Sequence, residues 1–385
     1  MPIVRLKIER RSAHPWVFQK MMEWPPTRIP NGGVVDVLDR NGEWVGRGFY
    51  NGHSRIGLRI LTTVQSQPID APFFAGRVKR ALALRRDVLK LDAITDAYRV
   101  IHSEADDLSG LVVDKFADTI VVEFFSAGMF RQRTAIFAAL EGAFPGAQFY
   151  HFAEEHVGKQ ESFDCHSPPP PAPFTITKHG LKFRVAPGSK HKTGFFVDQR
   201  DNRLALSRLT GGGRVLDLCC NSGGFSIYSA TTGEAREVVG VDLDETVLEL
   251  ARQNAKLNKA EVRFVHADLF AWLRDIRPSG EKFDTIILDP AKLTRDRDDV
   301  IGALKKYTDM NKLAMMAVKP GGVLLSCSCT GLVSEPDFLE TLRRAAWQAQ
   351  REIQVFKISG AAPDHPFFGH VPEGRYLKAV FMRVL

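Results

Sequence analysis

The sequence has no apolar run of the roughly 18 residues that a bilayer span needs, so no membrane segment is expected. It is also poor in cysteine, with Cys165, Cys219, Cys220, Cys327 and Cys329 alone. An odd number without regular spacing excludes a secreted disulfide framework. Cys327 and Cys329 are spaced C-x-C rather than C-x-x-C, and no His/Cys cluster adjoins them, so no metal site is expected. Met1–Arg11 is already charged and lacks an apolar core, so no secretory leader is read there. No segment repeats at a fixed period. Charge imbalance is small: 52 Lys+Arg against 45 Asp+Glu gives +7. That suits a polyanionic partner without demanding one. These absences together describe a reduced, cytoplasmic protein.

What is present is a chain of 385 residues, more than one hydrophobic core usually serves. Residues 1–70 read as β-rich. Val34–Leu38, Glu43–Phe49 and Ile56–Ile60 are strand candidates, separated by the turn signals Asn31-Gly32-Gly33, Asn41-Gly42 and Asn51-Gly52. That spacing predicts a small barrel. Residues 75–173 alternate helix and strand. Ala75–Lys90 and Arg131–Ala143 have helical patterning, and Leu111–Asp114 with Thr119–Phe125 resembles a hairpin. Ser167–Pro173 carries five prolines in seven residues and reads as an extended connector.

Residues 174–385 change to strictly alternating elements. Strands are predicted at Val215–Leu218, Val238–Val241, Val262–Val265, Thr285–Leu288 and Val323–Ser326, with helices between them. Ile353–Ile358 and Tyr376–Val384 can add two more. This is the pattern of a doubly wound, Rossmann-like α/β sheet.

Four of these strands end in or near an aspartate: Asp217, Asp242, Asp268 and Asp289. The loop after the first is Cys219-Cys220-Asn221-Ser222-Gly223-Gly224, and a helix begins at Phe225. Its glycines admit a ligand close to the backbone, but the spacing is not G-x-G-x-x-G, so a dinucleotide is not the natural guest. Each aspartate alone is best explained as a helix cap. All four with the glycine loop resemble a class I methyltransferase. That resemblance implies S-adenosylmethionine (SAM) as cofactor. Asp217, Gly223 and Gly224 then border the methionine moiety, Asp242 holds the ribose and Asp268 reads the adenine amine. Ser222, Phe225, Leu243, Leu269 and Asp289 complete the expected pocket.

Asp289-Pro290-Ala291-Lys292 sits where such enzymes present a carboxylate to the edge of a base. Ser326-Cys327-Ser328-Cys329-Thr330-Gly331 follows the next strand. Carbon 5 of a pyrimidine is a poor nucleophile until a thiolate adds at carbon 6, so a cysteine on this loop suits carbon-5 methylation. Buried filler is the alternative role for either thiol. The two would share one face of a strand, so spacing does not choose between them.

Further blocks extend the resemblance along nearly the whole chain. They are His14-Pro15-Trp16-Val17-Phe18, Gly46-Arg47-Gly48, Ser103-Glu104, Leu108–Asp114, His191–Arg200, Asp364-His365-Pro366 and Pro372–Lys378. The chain resembles the class I rRNA methyltransferases related to the 23S rRNA (cytosine-5)-methyltransferase, which carry an N-terminal PUA domain. The resemblance implies three domains: a PUA barrel over 1–70, a central α/β domain over 75–173 and the methyltransferase over 174–385. It implies large-subunit rRNA as the partner, no membrane, and admits a homodimer. It also implies Cys329 as the nucleophile, Asp289 as its catalytic companion, and Gln199 and Arg200 beside the cofactor.

Where the family has Asp-Pro-Pro-(Lys/Arg)-Phe, this chain has Asp289-Pro290-Ala291-Lys292-Leu293. That loop faces the target rather than the cofactor. Two other readings stand beside carbon-5 methylation: methylation of a base nitrogen without a thiol, against which the missing aromatic at Leu293 counts, and an inactive RNA-binding assembly factor, which Ala291 supports. Lys190, Lys192, Arg10 and Arg11 are the candidate RNA contacts, since such groups set affinity through phosphate.

Overall fold

The structure, a computed structural model, describes residues 1–188 and 194–385. Two compact units compose it. Residues 1–180, 185–197 and 363–374 form the first, and 181–184, 198–362 and 375–385 the second.

In the first unit, β1 (Ile3–Arg5), β2 (Trp16–Phe18), β3 (Gly33–Leu38), β4 (Trp44–Tyr50) and β5 (Ile56–Thr62) lie in the order β1-β3-β4-β5-β2. Only β1 and β3 are parallel. The Lys7 N–H donates to Met21 O at 2.9 Å and the Glu23 N–H to Arg5 O at 2.8 Å, which bends the sheet back on itself. Val4, Leu6, Val17, Val35, Val37 and Leu58 fill the enclosed core. Three of the five strands were expected. β1 and β2 have three residues each, too few to show an alternation.

α1 (Ala71–Leu82) follows, with Asp70 capping it by accepting the Phe73 N–H at 3.0 Å. A single helix was expected to run to Lys90. Instead the chain widens into a π-helical segment, Ala83–Val88. The sheet of β6 (Ala97–His102), β7 (Leu111–Phe116), β8 (Thr119–Phe124) and β9 (Gln148–Phe152) comes next, in sequence order. The helix expected over 131–143 is split at Gln132 into α2 (Ala127–Arg131) and α3 (Arg133–Ala143). Phe73, Phe74 and Val78 of α1 and Ile136 and Leu140 of α3 pack with Val113 and Val122 of the sheet. α4 (Glu155–Glu161), β10 (Phe174–Lys178) and β11 (Leu181–Val185) lead onward.

The π-helical segment places Arg85 inward, where its side chain is fully buried. The guanidinium donates to both Asp106 oxygens at 2.6 and 2.9 Å, to Arg99 O at 3.0 Å and to Asp364 O at 2.8 Å. Burial of this charge is tolerable because carboxylate and carbonyls replace its water.

The second unit opens with α5 (Arg200–Ser207). Then come β12 (Arg214–Leu218), α6 (Gly224–Ala230), β13 (Glu237–Asp242), α7 (Glu245–Leu257), β14 (Arg263–His266), α8 (Leu269–Ile276) and β15 (Phe283–Leu288). α9 (Val300–Ala317), β16 (Val318–Ser328), α10 (Glu335–Gln348), β17 (Ile353–Ser359) and β18 (Lys378–Val384) complete it. The sheet order is β14-β13-β12-β15-β16-β18-β17. All pairs are parallel except those of β18, which runs antiparallel to both neighbours. The order reverses between β12 and β15, and open α/β sheets bind ligands at the carboxyl ends of strands beside such a reversal. Leu216, Val239, Ile286 and Leu324 anchor the strands in one core cluster. No helix among the described residues is long and apolar enough to cross a membrane.

Asp106→Ala leaves the Arg85 charge buried and unpaired. It should cost the first unit about 3–5 kcal/mol, read as an earlier denaturant transition of that unit.

Candidate active site

At the strand reversal, β12 delivers Asp217 into a buried position. Its Oδ2 accepts the Ser226 N–H at 2.9 Å and the Ser226 hydroxyl at 2.6 Å. Its Oδ1 is buried without a hydrogen-bond partner. The loop after β12 turns sharply: Cys219, Asn221 and Gly223 all have positive φ, and Gly223 at +80° caps α6. Gly224 has a packing reason to be glycine, since a Cβ there would lie 2.5 Å from Arg203 Nε.

Asp242 at the end of β13 fixes this loop. Its Oδ2 accepts the Asn221 N–H at 2.8 Å and its Oδ1 the Asp244 N–H at 3.0 Å. Asn254 of α7 adds a bond from Nδ2 to Ser222 O at 3.0 Å. Leu243 beside Asp242 is 67% exposed, an apolar surface with no core role. Asp268 caps α8 through Oδ1, which accepts the Phe270 and Ala271 N–H groups at 3.0 Å, and is itself exposed. So Asp268 is both the cap and a surface carboxylate at the strand edge.

Asp289 follows β15. Its Oδ2 accepts from Gln199 Nε2 at 3.0 Å, and Gln199 Oε1 accepts from Asn202 Nδ2 at 2.7 Å. Arg203, one turn further along α5, is buried and faces the field of Asp198, Asp217 and Asp289. Its guanidinium lies over the Phe225 ring at 5.6 Å. Burial pushes the Asp217 carboxyl up to about 7, with the Asp289 charge adding and Ser226 and Arg203 opposing. Burial likewise pushes Asp289 up to about 7, with Asp198 adding and Arg203 and Gln199 opposing.

Three carboxyls against one guanidinium leave a pocket short of positive charge. An unpartnered Asp217 oxygen inside it is a ready acceptor for an ammonium, and the field suits a sulfonium. SAM carries both groups, so the donor set fits it.

The two thiols differ in surroundings. Cys327 lies within β16, fully buried in a core cluster, and burial pushes its thiol well above the ordinary range. Cys329 lies beyond the end of β16 and is partly exposed, with Sγ 3.9 Å from Pro290 O. The shared strand face expected from C-x-C spacing does not exist, because the strand stops at Ser328. Thr330 ties this loop to its neighbours: Oγ1 accepts the Leu293 N–H at 3.2 Å and lies 2.9 Å from the Tyr307 hydroxyl.

Other expected residues are placed as follows. Phe225 and Leu269 turn their side chains into the core. Arg200 is buried, with Nε donating to Asp201 at 2.9 Å, and Ser222 is buried in the glycine loop. Arg11 is highly exposed and pairs with Glu9 at 3.1 Å. Arg10 lines a cleft of about 680 Å³ in the first unit, together with Arg77, Arg80, Phe368 and His370. Lys190 and Lys192 lie outside the described residues. Arg203, Asn202 and Lys378 were not singled out from sequence. The first two follow Gln199-Arg200 at helical spacing, which is the signal that could have found them.

A model of the S-adenosylmethionine-dependent methyltransferase family matches residues 103–383, and a PUA-like domain model matches residues 8–63. The chain belongs to the S-adenosylmethionine-dependent methyltransferases. Among curated relatives of this methyltransferase, the ribosomal RNA large subunit methyltransferase I of Aeromonas salmonicida is 39% identical, over 96% of this chain and 95% of that one. The protein of the same name from Klebsiella pneumoniae is 38% identical over 97% and 94%. Among solved structures, a methyltransferase complexed with SAH superposes with a TM-score of 0.84 at 18% identity over the full length of both chains. A SAM-dependent methyltransferase from Streptococcus mutans gives 0.82 at 16%, again over both full lengths. The Rossmann-like domain behind a PUA-like barrel is therefore the architecture of this methyltransferase, and SAM is its cofactor.

The raised carboxyls give SAM binding a pH dependence. The folded protein holds protons on Asp217 and Asp289 that the unfolded chain, titrating near 4, has released. Unliganded stability therefore falls as pH rises from about 4 to about 7. A cationic guest needs Asp217 ionised, so SAM affinity should strengthen from pH 6 to pH 8. Calorimetric titration should read up to about tenfold per pH unit for each proton released, and Asp217→Asn should flatten the slope.

Proposed function

We propose that this methyltransferase acts on carbon 5 of a cytosine in large-subunit rRNA, with Cys329 as nucleophile. The observation that carries the reading is the position of Cys329: a partly exposed thiol beyond the strand end, beside the carbonyl of Pro290 in the Asp289 loop. The rRNA substrate rests on the names of the full-length relatives. With an rRNA partner the proposed place of action is the cytoplasm.

The residues divide the work as follows. Gln199 fixes one oxygen of the Asp289 carboxyl, and its raised pKa keeps it protonated in part at neutral pH. In that form it donates a hydrogen bond to N3 of the cytosine, which withdraws electrons from carbon 6. The Cys329 thiolate adds to carbon 6, forming a C–S bond and making carbon 5 electron-rich. SAM, when bound, supplies an electrophilic methyl on a sulfonium. After transfer a base removes the carbon-5 proton, the C–S bond breaks and the thiolate returns. Asp217, the glycine loop and Asp242 are the proposed cofactor contacts, with Leu243 against the adenine and Asp268 at its amine.

The barrel over 1–70 and the domain over 75–173 are proposed as separate RNA-engaging domains ahead of the catalytic one over 174–385. Arg10 and Arg11 in the barrel, and Lys190 and Lys192 in the catalytic domain, are the proposed phosphate contacts.

Cys329→Ala should lower methyl transfer by roughly four orders of magnitude or more while SAM binding persists. Cys327→Ala should retain transfer. Turnover by the Cys329 variant, with a methylated nitrogen found by nucleoside mass spectrometry, would replace carbon-5 chemistry with the thiol-free reading.

A further inference from the structure

Lys378 stands opposite Ser328, the last residue of β16, in the antiparallel pairing of β16 with β18. Its side chain is buried. Nζ donates to Thr330 O at 2.7 Å and to Tyr376 O at 2.9 Å. An ammonium has three protons, and two of these are spent on carbonyls, one of them belonging to the residue after Cys329.

Burying an ammonium among carbonyls is expensive unless negative charge is near. Burial, with Lys292 adding and Cys329 and Glu335 opposing, lowers Lys378 to about 8. It therefore remains mainly cationic at neutral pH. The remaining groups around the loop supply little competing charge. Tyr307 of α9, whose hydroxyl lies against Thr330, is pushed by burial to about 12 and stays neutral. Asp289 is protonated in part at pH 7. Lys292 is exposed, and Glu335, partly exposed, is paired with Arg375 at 2.6 Å.

We infer that Lys378 is the positioning residue for Cys329, clamping its loop through the Thr330 carbonyl and favouring the thiolate by its charge. This rests on Cys329 being the nucleophile, but the link between the two side chains can be read without any RNA.

The test is the pH profile of Cys329 alkylation by iodoacetamide in the full chain, followed by peptide mass spectrometry. Thiolate fraction sets the rate. Lys378→Met should raise the midpoint by about one unit, making alkylation about tenfold slower at pH 7. Lys378→Arg should keep the midpoint low. An unchanged midpoint in Lys378→Met, with SAM binding retained, overturns the inference. Should that variant fail to fold, the wild-type chain decides. A midpoint below the ~8.5 of an ordinary cysteine supports the inference, and one at or above it overturns it. Methyl transfer by Cys329→Ala would remove the nucleophile reading alone, since the alkylation shift does not depend on turnover.

Discussion

The site depends on one electrostatic constraint: the buried guanidinium of Arg203 set among the carboxyls of Asp198, Asp217 and Asp289. Neither side can be removed cheaply. Without Arg203 the acids would all seek protons, and without the acids a cation would be stranded in the interior. The arrangement determines other choices around it. Gly224 has no side chain because Arg203 occupies that space. Ser226 spends both its donors on one Asp217 oxygen, leaving the other buried without a partner. Gln199 is held by Asn202 so that its amide can serve Asp289. The pocket is thus organised around a deficit of positive charge, which a sulfonium with an ammonium makes good.

The strand-end aspartates were legible because an alternating α/β pattern places successive carboxyl ends along one edge. The topological reversal beside Asp217 and Asp289 was not. Order in a sheet is a long-range property, and β18 inserts between β16 and β17 although it comes last in the chain. Arg203 was not legible for a related reason: an arginine in a short helix reads as surface until its surroundings are known. The cysteines show what spacing can and cannot do. C-x-C suggested a shared face, whereas the strand ends between them, so one thiol is core and the other lies on a loop. In the first unit the three longer strands were readable, and the two three-residue strands that help close the sheet were not. The π-helical segment after α1 was not legible, because Arg85, which it turns inward, reads in the pattern as a surface residue.

The altered Asp289-Pro290-Ala291-Lys292-Leu293 loop also takes on a physical meaning. Its Leu293 N–H is held by Thr330, and Thr330 is held in turn by Tyr307 and Lys378. Rigidity that the family's second proline would provide is here supplied by hydrogen bonds from a neighbouring loop. The two loops are therefore best regarded as one element, whose carboxyl and thiol move together.

The segment 363–374 belongs to the first compact unit, although the chain on both sides of it belongs to the second. Asp364 accepts the Arg99 N–H, its carbonyl receives Arg85, and the His365 ring meets that of His102 edge-on. The interior of the first unit is thus finished by residues made after most of the second unit. Assembly cannot proceed simply from one end to the other. A nascent chain halted after the connector would hold an arginine whose final acceptor has not yet been synthesised.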